Sequence, residues 1–122
     1  MYSEYLGKDY VKRIRRMIGA DETLLPNSIV NADLNIGGVK LLIAPVIEEM
    51  QKFGKFVDDK KKYDQLQSAA INYLAGILCL ALKSRTSSPP YDAPEYKRNW
   101  DKKREKFMRY ANAQLMELMK MG

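Results

Sequence analysis

The chain contains no histidine. That removes the side chain best suited to general acid–base work near neutral pH, and with it the commonest imidazole metal ligand. Every catalytic triad built on histidine is excluded too. A single cysteine, Cys79, rules out an internal disulfide. It sits inside an apolar stretch, where a thiol keeps a high pKa and stays inert. No segment alternates apolar and polar residues at strand period, so no Gly-rich phosphate loop can follow a strand. The longest apolar run, Ala69 to Leu82, is interrupted by Asn72. It is shorter than the roughly 20 residues of a membrane span and reads as a core helix. Met1 to Asp9 is polar and charged and has no apolar signal segment. The expectation is a soluble chain without membrane contact.

What is present is an ordinary globular composition: 122 residues, 46% hydrophobic and 30% charged. That fits one domain, 1–122, with a modest core. Twenty-one Lys and Arg face 15 Asp and Glu, a net charge of +6. This leans towards acidic partners such as nucleic acid. Two carboxylate pairs stand out, Glu48/Glu49 and Asp58/Asp59. Neighbours on a helix point about 100° apart, so Glu48 and Glu49 cannot share one substrate. Asp58/Asp59 reads as a helix cap. Neither pair suggests catalysis, and neither metal nor cofactor is expected.

Helical spacing recurs along the chain. Leu6, Tyr10, Ile14 and Met17/Ile18 predict an amphipathic helix from about Ser3 to Ile18, closed by Gly19, with Lys12, Arg13 and Arg16 on its outer face. Ala20 to Asn35 is turn-rich, with one helical turn expected after Pro26 and with Leu24, Leu25, Ile29 and Val30 pinning it to the core. Ile36, Val39, Ile43, Val46/Ile47 and Met50 form a stripe from Ile36 to Phe53, with Asn35 as a plausible N-cap. Pro45 within it predicts a kink or a restart. Gly37-Gly38 suggests a close approach or a loose first turn.

A helix is expected from about Asp59 to Lys83, and from Ala69 to Leu82 its apolar residues cover nearly the whole circumference, which marks a central helix. Ser84 to Glu95 holds three of the five prolines. It predicts an extended loop carrying Pro89, Pro90 and an exposed-looking Tyr91. A last helix is expected from about Pro94 to Met121, with Tyr96, Trp100, Phe107, Ala111, Leu115 and Leu118 on one face. Lys97, Arg98, Lys102, Lys103 and Arg104 crowd the rest. They read either as a solvated face or as phosphate contacts. Met108, Met116, Met119 and Met121 read either as an adaptable contact surface or as core filling. The fold class is all-α, a compact bundle of about four helices with a long Pro-rich loop before the last one.

The order of these elements is recognisable. A Gly19-Ala20-Asp21-Glu22 stretch leads into the LLPNSIVN turn at Leu24–Asn31. The central AAINYLAGILCLAL helix, the Pro-rich loop with its aromatic and a basic last helix bearing Trp100 follow. From about Val11 to Leu118 this pattern resembles the head-to-tail connector (adaptor) proteins of tailed bacteriophages and prophage-derived particles. The resemblance implies a non-enzymatic virion protein without cofactor. It implies a ring, commonly of twelve copies, beneath the portal protein and around packaged DNA, with a stopper or tail-completion protein below. The site would be the head–tail interface of the virion, after assembly in the host cytoplasm.

On that reading, Lys12, Arg13 and Arg16 are candidates to meet Glu48, Glu49, Asp58 and Asp59 of a neighbour. Pro89, Pro90 and Tyr91 are candidates for the next ring. Leu115, Met116, Met119 and Met121 are candidates for reaching the portal, and the basic cluster from Lys97 to Arg104 for the DNA channel. Two other classes stay open. One is a small basic helical nucleic-acid-binding domain, and the other is a dimeric regulator of toxin–antitoxin type.

Overall fold

The structure is a computed structural model, described for residues 6–52, 60–96 and 98–120. It is all-helical, with no strand among those residues: α1 (Tyr10–Ile18), a single turn α2 (Asn27–Val30), α3 (Asp33–Lys52), α4 (Lys60–Arg85), a 3-10 turn (Pro94–Tyr96) and α5 (Trp100–Lys120). The expected bundle is present, with α1, α3 and α5 arranged against α4.

The central position of α4 follows from its sequence. Leu66, Ile71, Leu74, Leu78 and Leu82 are buried on several faces, with Ala69, Ala70, Ala75 and Gly76 between them. Each large side chain withdrawn from water contributes about 1.5–3 kcal/mol. The small residues let α5 close in. A Cβ on Gly76 would stand 2.8 Å from Met108 Cε.

α1 is shorter than the periodicity predicts, because Gly7 and Asp9 both take positive φ and the helix begins only at Tyr10. Gly19 ends it in the left-handed conformation, φ 80, and donates its N–H to Arg15 O at 2.8 Å. The turn-rich segment is pinned down as expected, with Leu24, Leu25 and Val30 buried. Arg15 holds it from beneath by donating Nε–H to Leu25 O at 2.8 Å, and Tyr10 donates its hydroxyl hydrogen to Asn31 Oδ1.

Three boundaries differ from expectation. Asn35 is not a cap. It lies inside α3, is buried, and donates its amide to Ile29 O at 2.6 Å. Of the two outcomes expected at Pro45, the restart does not occur, because α3 runs through it as one element. Pro94 starts a separate 3-10 turn rather than the last helix. α5 begins at Trp100, where Asn99 Oδ1 accepts the Lys102 N–H at 3.1 Å.

Two stretches, Asn27–Glu49 and Lys60–Arg85, are long and apolar enough to cross a membrane by length and composition, which corrects the expectation drawn from Ala69–Leu82 alone. For the second, 56% of the apolar window is buried inside the bundle, so it is a core helix. For the first only 28% is buried. Of the remainder, Leu34, Leu41 and Pro45 are exposed on α3 together with the charged Asp33, Lys40, Glu48 and Glu49.

Candidate functional site

Three surfaces carry the chemistry of this chain, and each is set by how one element meets the bundle.

The first is the outer face of α3. Val39, Ile43 and Ile47 are buried, so residues half a turn away must point outwards. These are Leu34, 87% exposed, Leu41, 79% exposed, and Pro45, also exposed. Gly37, between the two leucines, has open space beside it. Leu34, Leu41 and Glu48 are spaced by seven residues and share one side of the helix. Sequence reasoning missed this surface because it followed the stronger stripe from Ile36 to Met50. The visible signal was a pair of leucines seven apart that lie off that stripe.

The second is the outer face of α5. Trp100, Phe107, Ala111, Leu115 and Leu118 turn inwards. Arg98 is exposed just before the helix, Lys102, Arg104, Lys106 and Arg109 turn outwards in its first half, and Met116, 61% exposed, and Met119, 50% exposed, follow. The long side chains of Arg98, Lys102, Lys103, Lys106 and Arg109 edge a shallow depression of 490 Å³ that lies along this one helix and not between elements. Two acids moderate the charge: Asp101 accepts from Lys83 at 2.9 Å and Glu105 from Arg109 at 3.2 Å.

The third surface is the loop between α4 and α5. Pro89 and Pro90 are exposed, as expected. Tyr91 is not: it is half-buried, with the Arg85 guanidinium 4.1 Å from its ring centroid and the Tyr96 ring edge-on at 5.9 Å. Arg85 also donates to Thr23 O at 3.3 Å, while its Nε is buried without a partner among the described residues. Tyr91 therefore anchors the loop to the body, which leaves the two prolines as its contact-ready part.

The other candidates are placed unevenly. Leu115 is buried between α4 and α5, so it is a core residue and not a partner contact. Lys103 is half-buried and donates to Ile18 O at 2.9 Å. There it satisfies the carboxyl end of α1 and supports its dipole, which removes it from the outward cations. Lys12, Arg13 and Arg16 are exposed on α1, and Glu48 and Glu49 on α3. Asp58, Asp59, Lys97 and Met121 lie outside the described residues.

Cys79 is buried in α4, and desolvation pushes its thiol up to about 11 despite some relief from Lys103 and Arg104. Among the described residues, no three His, Cys, Asp or Glu side chains gather as a metal site. No protein-family model, characterised protein or solved structure matches the chain.

Proposed function

We propose that this chain is a virion structural protein, a head-to-tail connector subunit forming a ring of about a dozen copies beneath the portal and around the DNA channel. The observation that carries the reading is the pair of unlike exposed surfaces on two different helices, apolar on α3 and basic-then-Met on α5. A closed ring needs each subunit to present two different, complementary surfaces, whereas a simple dimer reuses one. The sequence order from Val11 to Leu118 supplies the connector assignment. Pro89 and Pro90 are the proposed contact with an adjoining ring of portal, stopper or tail-completion protein. A stiff loop loses little freedom when it docks. Arg98, Lys102 and Arg104 are the residues proposed to line the DNA path.

The test is the solution mass of the purified chain, alone and with the portal protein of the same phage or prophage. Assembly into a ring in either condition supports the reading. A chain that stays monomeric and ignores the portal removes it.

One observation favours a second reading, a basic helical nucleic-acid-binding domain. Lys102, Arg104, Lys106 and Arg109 all face solvent on one helix of a single chain. Duplex binding whose affinity falls steeply with salt would support that reading.

A further inference from the structure

The two outward stripes have the same spacing. On α3, Leu41 and Glu48 are seven residues apart on one side of the helix, and both are exposed. On α5, Met116 and Arg109 are also seven residues apart, exposed, and on one side. Seven residues are two helical turns, about 10.5 Å. The order along each helix is opposite. α3 runs from apolar to acidic, while α5 runs from basic to apolar.

We infer that the outer face of α3 docks antiparallel onto the outer face of α5 of a second copy of this chain, with Leu41 against Met116 and Glu48 against Arg109. This rests on the ring reading above and names the surfaces that would build it.

Three features argue for the pairing. Charge complementarity is the first. Glu48 and Glu49 of one copy meet Lys106 and Arg109 of the next, whose own acid Glu105 is exposed and easily exchanged. Room is the second. The same register brings Met119 alongside Gly37, whose flank is open, so a flexible thioether can settle there, while Gly38 faces Ile77 of α4. The third is the geometry of propagation. α3 of one copy engages α5 of another, so the contact is heterologous and leaves both copies with one face still open. That is the condition for a ring. It also replaces α1 as the basic side of the contact and assigns Met116 and Met119 to the neighbouring subunit rather than to the portal.

The test uses two single-face variants of the full chain, Leu41→Asp and Met116→Asp, followed by light scattering at concentrations up to about 1 mM, where even a weak contact registers. Both substitutions fall on exposed positions, and thermal melts confirm that each variant folds. Alone, each is expected to remain a monomer. Mixed in equal amounts they are expected to give a one-to-one pair, because each keeps the face that the other lacks. Glu48→Arg and Arg109→Glu are expected to weaken assembly about tenfold each and to restore it when combined. Variants that assemble like the wild type overturn this contact and leave the ring reading standing. A mixture that stays monomeric while the wild type assembles overturns it too, as does a wild type that stays monomeric at about 1 mM.

Discussion

Trp100 holds the start of α5 against the end of α4 through one buried hydrogen bond. Its indole N–H donates to Thr86 Oγ at 3.1 Å, and the Thr86 hydroxyl in turn donates to Leu82 O at 2.8 Å. Both residues are buried, so water cannot replace a lost partner. Thr86→Val keeps the shape and strands the indole donor, and should cost about 1–3 kcal/mol in urea unfolding. Cys79 gives a pH test. Burial raises its thiol from the ordinary 9.0 to about 11. The fold favours the protonated form, so stability is fully present below pH 9 and is lost as pH rises towards about 11. Tyr10, raised in the same direction by burial, adds to that slope. Cys79→Ala should flatten the slope in thermal melts across that window, and a maleimide should label native Cys79 far more slowly than the unfolded chain. At this scale the core was largely legible, because helical spacing alone separates Ile14 and Phe107 from their exposed neighbours. Tyr91 was not, since composition alone does not show that the Pro-rich loop folds back to place the Tyr91 ring against Arg85 at the end of α4.

The helices themselves turn on two packing details. Gly76 lets α4 and α5 approach, with Met108 filling the space that a Cβ would occupy. Met is flexible enough to yield to Ala, whereas Gly76→Val forces the two helices apart and should cost about 1–3 kcal/mol. Pro45 stands exposed within the continuous α3. A proline there removes a backbone hydrogen bond and crowds the preceding turn, so Pro45→Ala should stabilise the chain by up to about 3 kcal/mol, read from the unfolding midpoint. Element identity and order were readable from the 3.6-residue period. Helix ends were not. α1 starts late because of backbone at Gly7 and Asp9, α5 starts late because Asn99 caps it, and Asn35 falls inside α3, which starts at Asp33, with its amide bonded to Ile29 O in the preceding turn. Such ends are decided by contacts that a periodic pattern does not contain.

At the scale of the whole molecule, the bundle buries its apolar core and leaves two outward stripes uncovered. The charge of +6 was legible at once, but its distribution needed the structure, which draws Lys103 inwards to Ile18 O and sends Lys102, Lys106 and Arg109 outwards. The apolar half of the candidate site, Leu34 and Leu41, was the part least legible, because an exposed leucine on an apolar helix looks like core until the partners of that helix are known. If copies of this chain join through these stripes, assembly combines apolar burial with ion pairs, and raising the salt should weaken it only a few-fold. Phosphate binding by the same cations would fall by orders of magnitude.

The measurement that bears most directly on the assembly reading is the solution mass of the wild-type chain over a concentration series, without and then with its portal. A single chain weighs 14.1 kDa, so a ring of twelve weighs about 170 kDa. The account predicts a closed species near that mass in at least one of the two conditions, reached without an unlimited ladder of larger forms. A chain that holds 14.1 kDa throughout, unaffected by the portal and binding duplex DNA with a steep salt dependence, would contradict it.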